Sequence, residues 1–408
     1  MSDFFNNATL DNFDTVSIES LPPFKNMYLI LFFLIFLYSL AANFAHPITP
    51  TFIKELGLHD YMFGVAFSCM ALTNFLFSPL WSKLSEKYGG AKVLSIGLLG
   101  YGVMQVFFGI SKTEVQICIA RLVAGFFLSG ISVSQLIYCL KNSKDVSKDL
   151  AICATVNMVV SPFGFLIGGF LGDWNILGTF YIQGISLFLI GLLGLLIFGD
   201  SDTEDVKLHK EDLNPFKAFG DSKDIITKFV FLFLIVAAIS SFGSTCYEQC
   251  FNYYIKDVFN FPSSYNGILK AGVGIIALIA NWTITMMLLK TNTFKTIVPV
   301  FGMLFLMLVG VCVIDDMVPF IIINVVFFGM NSIYLPLQQA MMTKYKTRNN
   351  GELVGLFNAV RSIGMVLGSL LAGLIYGVGP KASFVVSAIA FGLCIILSIS
   401  NYKESERV

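Results

Sequence analysis

Arg121, Glu248, Lys270 and Arg361 are the residues best placed to do chemistry, because each is a lone charge inside a long apolar stretch of sequence. A charge near the centre of a bilayer costs about 2.5 to 3.5 kcal/mol on insertion scales, so such groups usually mark transport or proton pathways. Glu248 is the only carboxylate well inside such a stretch. Burial raises a carboxyl pKa and a nearby cation lowers it, so a moving cation would make Glu248 take up and release a proton. Lys270 lies in the outward third of the next stretch and is a candidate cation for that exchange; a constitutive Glu248–Lys270 salt bridge is the alternative. Arg121 stands about seven residues, roughly 10 Å, inside its stretch, and Arg361 about ten residues, roughly 15 Å, inside its own. Arg361 reads equally as a ligand-binding or a structural residue.

The elements that must position these charges follow from composition. The 408 residues are 56% hydrophobic and 13% charged, with a mean hydropathy of +0.78. A soluble chain carries about 25% charged residues, so this one could not clothe itself in a hydrated surface, which excludes a cytosolic enzyme and a disordered chain. Its 26 basic and 26 acidic side chains balance, leaving none of the positive field used to bind nucleic acid. A hydrocarbon layer about 30 Å thick takes roughly 20 apolar residues of helix. Twelve such stretches occur, at 27–45, 61–82, 93–111, 115–140, 150–172, 174–199, 229–255, 263–289, 296–314, 317–343, 353–379 and 382–402. These runs are too long for barrel strands, and only helices satisfy their own backbone groups in hydrocarbon. The expected fold is an all-α integral membrane protein with lipid as its solvent.

Nineteen of the 26 Lys and Arg residues fall in one alternating set of loops and termini, while Lys54, Lys112, Lys256 and Lys381 alone fall in the other. By the positive-inside tendency both termini are expected to be cytoplasmic, in an inner or plasma membrane. Residues 1–26 form a polar tail with Asp3, Asp11, Asp14 and Glu19 and no basic leader, so the first span is expected to act as an uncleaved insertion signal. The expected domains are a six-helix bundle at 27–199, a cytoplasmic connector at 200–228 with a surface-lying helix, a second bundle at 229–402, and a short tail at 403–408.

The halves look like copies. Ile53-Lys54-Glu55, trailed by Gly64, recurs as Ile255-Lys256-Asp257, trailed by Gly267; Gly164 and Gly168 recur as Gly364 and Gly368. Parallel repeats of this kind mark transporters that rock two bundles around a site at the midplane.

Between the second and third spans the chain reads Ser78-Pro-Leu-Trp-Ser82-Lys83-Leu-Ser-Glu86-Lys87-Tyr88-Gly89-Gly90. This resembles the G-x-L-S-D-R-x-G-R-R signature of the major facilitator superfamily, with Glu86 in the acidic place, Lys87 as the following base, Gly89 as the turn glycine and Ser82 replacing the usual glycine. The resemblance implies a latch in which the carboxylate meets the helix start of span 11 in the outward-facing state. Arg121-Leu-Val-Ala-Gly125-Phe-Phe-Leu-Ser129 is similar to the R-x-x-x-G element of the drug:proton antiporter branch, and Ser161-Pro162-Phe163-Gly164 with Gly168-Gly169 to its span 5 motif, though the proline is displaced. By that resemblance Arg121 tunes a proton-carrying carboxylate; merely tying helix ends is its alternative. Many members carry an acid in span 1, where this chain offers only Asn43 and then His46.

The resemblance further implies that spans 1, 4, 7 and 10 line the pathway. Candidates there are Asn43, His46, Gln135, Tyr138, Tyr247, Gln249, Asn331, Tyr334, Gln338 and Gln339, with Arg361 from span 11. His46 precedes Pro47 where the helix is expected to break, as a pH-sensitive gate or a solvated loop residue. Three buried cations against one acid favour an anionic, zwitterionic or neutral amphiphile over a lipophilic cation. The eight cysteines show no C-x-x-C pairs and read as reduced, membrane-buried side chains; Cys246 and Cys250 share a helical face but lack further ligands, so no metal is expected. No Walker A, H-E-x-x-H or G-x-S-x-G motif is present, so neither a cofactor nor an enzyme is expected. The expected function is proton-coupled efflux of small amphiphiles by a monomeric alternating-access transporter. Uptake or exchange of an organic anion on the same fold is the alternative, and a non-transporting receptor is disfavoured.

Overall fold

The computed structural model describes residues 23–142, 146–198, 214–217, 226–344 and 350–405. Among them the chain folds as helices α1 (Pro23–Ala42), α2 (Thr49–Glu55), α3 (Met62–Tyr88), α4 (Gly90–Ile110), α5 (Glu114–Asn142), α6 (Val146–Trp174) and α7 (Ile176–Phe198) in the first half. The second half contributes α8 (Lys228–Asp257), α9 (Ser263–Leu289), α10 (Thr293–Val313), α11 (Met317–Lys344), α12 (Asn350–Tyr376) and α13 (Ala382–Ser405). Among the described residues eleven of these are long and apolar enough to cross a membrane, and α1 contributes a shorter apolar stretch, Leu29–Ala42. Their uniform apolarity is the signature of helices buried all round, in protein on one side and lipid on the other. Trp282, Leu196 and Val378 accordingly lie largely uncovered on the outer surface.

Local signals fix the ends. Thr227 caps α8 by accepting from the Val230 amide, and Asn292 caps α10 by accepting from the Phe294 amide at 3.1 Å. Gly89 separates α3 from α4 as a single residue at φ +87°, a conformation that costs a side chain but not glycine. One π-helical turn at Asn281–Thr285 interrupts α9. The short helix α2, with Pro50 in its first turn, was not expected from the sequence: the first span ends at Ala42, three residues sooner than its apolar run, and α2 follows a brief turn.

The expected duplication is visible in the packing. In the first half α1 packs on α6 and α7, α3 on α5, and α4 on α5 and α7; in the second, α8 packs on α12 and α13, α9 on α11, and α10 on α11 and α13. A Cβ on Gly164 would stand 2.5 Å from the Leu40 carbonyl oxygen, and one on Gly364 would overlap that of Ala238; Gly168 and Gly368 press likewise on Phe44 and Phe242. Each repeated glycine thus admits the first helix of its own half. Between halves, α6 meets α9 and α3 meets α12.

The two ends of the molecule differ. At the end away from the connector, the far side, one apolar core runs through the second half and continues into Ile48, Phe52, Phe63 and Phe108 of the first. A separate core, with Leu31, Leu98 and Leu187, belongs to the first half alone. Polar contacts lock the same rim: Thr51 with Ser263 at 3.0 Å, Asn266 Nδ2 donating to the Pro47 carbonyl at 2.9 Å, Tyr253 donating to Asp60, and Lys54 paired with Asp257. Tyr376 donates to that Asp257 at 2.8 Å, and Phe63 stacks on Tyr253 with centroids 4.7 Å apart. At the connector end a cavity of about 760 Å³ separates α3 and α5 from α12. Of the expected connector only Asn214–Lys217 and 226–228 are described, so the surface-lying helix falls outside the described residues. Asn214, Pro215 and Lys217 line the cavity, and Phe216 sets its ring edge-on to Phe75 at 5.6 Å.

Candidate functional site

The four charges distribute over three spaces. Arg121, on α5, points its guanidinium over the Phe108 ring at 3.6 Å, with Nη1 3.8 Å from the Met70 sulfur. Lys270, on α9, lies over the Phe165 ring at 5.1 Å, and its Nζ is 4.0 Å from a Glu248 oxygen. Both cations border a small chamber of about 50 Å³ beneath the far rim, together with His46, Gln249 and Asn252. Glu248 faces the other way, into a cavity of about 230 Å³ between α6, α8, α9 and α11 that also takes Asn331 and the same Lys270. Lys270 therefore bridges two compartments. The Glu248 side chain remains 48% exposed while that of Lys270 is 11% exposed. Strong N⁺–H···O⁻ bonds run at about 2.7 to 2.9 Å, so the pair is a loose one with room to separate.

Arg361 lies apart from this trio, on the wall of the 760 Å³ cavity. Its guanidinium is 5.4 Å from the Phe357 ring, and its buried Nε has no hydrogen-bond partner among the described residues. Other polar residues line the same cavity, Asn74, Ser78 and Ser82 on α3 and Asn358 and Ser362 on α12, and of these only Ser82 was singled out from the sequence. The signal was present as polar residues repeating every four positions, which places them on one helical face. Asn252, missed at the chamber, follows Gln249 by three positions and Glu248 by four, and was legible in the same way.

The other expected site residues divide. His46, half-buried in the turn between α1 and α2, borders the chamber with its ring edge-on to Phe165 at 5.7 Å. Gln249 borders it too. Asn331 lines the Glu248 cavity and donates to the Ser244 hydroxyl at 2.8 Å. Asn43 bridges helices, donating to the Ser39 carbonyl at 2.6 Å and to Ser161 on α6 at 3.1 Å. Tyr247 is fully buried, donating to Asn324 among Phe327, Phe328 and Phe384. Tyr334 packs with Phe301 and Phe391, and Tyr138 with Phe198. Gln338 donates to Ser240 at 3.0 Å in the second half's interior; Gln135 is buried on α5, and Gln339 is exposed.

Among the signature residues, Ser82 lines the connector-side cavity, Glu86 pairs with Lys83 at 3.0 Å, and Lys87 lies over the Tyr88 ring at 5.2 Å. The helix start expected to take the latch is the first turn of α12, from Asn350, and residues 345–349 just ahead of it lie outside the described residues. Gly125 accommodates Thr73, which donates to the Leu122 carbonyl at 2.7 Å and ties α3 to α5. Gly169 is an interface residue: a Cβ there would stand 2.7 Å from the Ser263 carbonyl oxygen of the other half.

Two six-helix halves around polar cavities, shut at one end and open at the other, define a membrane transporter. The chain belongs to the Major Facilitator Superfamily, whose pattern matches residues 31–334 and 300–407. It is 23% identical over 395 residues to "Multidrug resistance protein 1" of Bacillus subtilis, covering 92% of this chain and 96% of that one. It is 24% identical over 398 residues to "Multidrug resistance protein MdtG" of Proteus mirabilis, covering 94% and 97%. Among solved structures, a bacterial homologue of the human lysosomal transporter Spinster, inward-facing and unoccupied, superposes with a TM-score of 0.73 at 14% identity, covering 94% of this chain and 98% of that one.

Proposed function

We propose that this transporter exports small amphiphilic compounds in exchange for protons, by alternating access between its two halves, from a cell membrane in which the connector and both termini face the cytoplasm. The observation that carries the reading is the placement of Glu248: a carboxylate more than two turns from either end of its helix, open to a cavity and 4.0 Å from a buried lysine. In such a place a proton on Glu248 releases Lys270, and ionisation draws it back, so occupancy by a proton is coupled to the fit of α8 against α9. The Lys and Arg bias of the loops supports a cytoplasmic position for the 760 Å³ opening, from which it would take substrate from within. The multidrug resistance relatives support the substrate class. One proton crossing 100 mV carries about 2.3 kcal/mol, enough for roughly a 50-fold gradient.

The test is reconstitution in proteoliposomes under an imposed pH gradient, with a panel of labelled amphiphiles and anions. Substrate flux should reverse when the gradient is reversed, and proton flux should arise only with a transported compound. Substrate flux indifferent to the gradient would overturn proton coupling.

Arg361 supports a second reading, transport of an organic anion, because its cavity wall holds a guanidinium with a buried, unpaired Nε. On that reading Arg361→Ala weakens binding of a monoanionic ligand by about tenfold or more, since a charge-assisted hydrogen bond contributes about 1.5 to 3 kcal/mol. Tryptophan-fluorescence titration would measure it, and equal affinity in both proteins would remove the anion reading.

A further inference from the structure

The chamber beneath the far rim is too small to carry an amphiphile. At about 50 Å³ it is far below the roughly 300 Å³ that small-molecule pockets begin at. Its wall nevertheless carries two cations, Arg121 and Lys270, and no acidic side chain. Arg121 is 7% exposed, and its described contacts are an aromatic face and a thioether, neither of which neutralises it. Asn252 is also 7% exposed and lines both the chamber and the Glu248 cavity. Gln249, His46 and Thr49 add polar groups to the wall. Glu248 lies on the opposite side of Lys270, in the neighbouring cavity, and offsets only that charge.

A buried charge left uncompensated is strongly destabilising. One bound counterion removes that cost. We propose that the chamber is a binding site for a small monovalent inorganic anion of chloride's size, held by Arg121, the Asn252 amide and Lys270 while the far rim is closed. The roughly 10 to 15 Å³ of probe space that one water needs is well below the chamber's 50 Å³, so an ion of chloride's size fits. With Arg121, Lys270, Glu248 and the anion in place, the charges of the two compartments sum to zero. Arg121 then acts by holding an ion rather than by touching the proton-carrying carboxylate, and the site does not depend on which compound is transported.

Equilibrium dialysis of the purified full-length protein with radiolabelled chloride tests this, gluconate keeping the ionic strength constant. Saturable binding of one ion per chain is expected, with bromide competing and sulfate not. Arg121→Gln and Asn252→Leu should each weaken it by about tenfold or more. Glu248→Gln should tighten it, because Lys270 loses its competing carboxylate. That last variant decides the matter if Arg121→Gln does not fold, and it separates this site from the proposed coupling, which the same substitution destroys. No saturable chloride binding, binding indifferent to Arg121 and Asn252, or weaker binding in Glu248→Gln would overturn the proposal.

Discussion

Glu248→Gln should remove gradient-driven transport, lowering flux in proteoliposomes by about tenfold or more, with substrate binding in detergent retained. The amide keeps the shape and hydrogen-bonding capacity of the acid but carries no exchangeable charge, so Lys270 has nothing to lose or regain when pH changes. A tenfold loss corresponds to about 1.4 kcal/mol, within what a carboxylate 4.0 Å from a buried ammonium supplies. The reciprocal exchange Glu248→Lys with Lys270→Glu separates the alternatives. A fixed salt bridge would be restored by the swap, and with it transport. A proton carrier would not be restored, since the acid then faces the chamber side and the lysine the open cavity. Rescue by the swapped pair, together with an unchanged pH profile, would return Glu248 and Lys270 to a purely structural role.

Gly64→Ala is expected to have the other large effect, on conformation rather than coupling. A Cβ at Gly64 would overlap the Ser369 carbonyl oxygen and stand 2.7 Å from the Gly373 amide nitrogen, both in the opposite half. Backbone atoms cannot swing aside as a side chain would, and overpacking of this kind costs about 1 to 3 kcal/mol. The cost falls only on the arrangement with the far rim closed, because α3 and α12 separate there when the rim opens. A shift of roughly tenfold or more toward the open rim follows. Spin labels at Lys112 and Val378, both exposed on the far side, should report longer separations. Gly168→Ala is the control: its Cβ would lie 2.5 Å from the Phe44 Cα within the same half. It should lower thermal stability and leave the distance distribution of the folded protein alone. Equal distance distributions in Gly64→Ala and the unaltered protein would show that the α3–α12 contact does not set the state.

Much of this architecture was legible from sequence, for a simple reason. Hydrocarbon imposes a length on each span, and the twelve apolar runs end within a few residues of the helices that form. The exceptions are instructive. The seven-residue α2 carries Thr, Pro, Lys and Glu and is too short to announce itself by apolar length. Which way a residue faces was far harder to read. Tyr247 and Tyr334 sit on helices that are apolar all round, so periodicity does not distinguish the cavity from the interior, and both turn inward. The charges were obvious but their partners were not. Asp60 meets Tyr253 across 193 positions of sequence, and Lys54 meets the acid that ends the second copy of its own motif. The glycines of spans 5 and 11 were readable as a stripe, and their division of labour follows from packing: Gly164 and Gly168 seat α1, while the adjacent Gly169 seats the other half.

The composition of the closed rim bears on how fast the molecule can cycle. Its polar contacts between halves are short hydroxyls, amides, a lysine–carboxylate ion pair and glycine-to-backbone approaches, set beside the apolar core that continues into Ile48, Phe52, Phe63 and Phe108. Each hydrogen bond broken there is replaced by one to water, and the net change for such an exchange is only about 0.5 to 1.5 kcal/mol. The polar half of the seam therefore behaves like a zip fastener, a handful of small steps each nearly balanced, and the apolar side chains beside it are what hold the shut form.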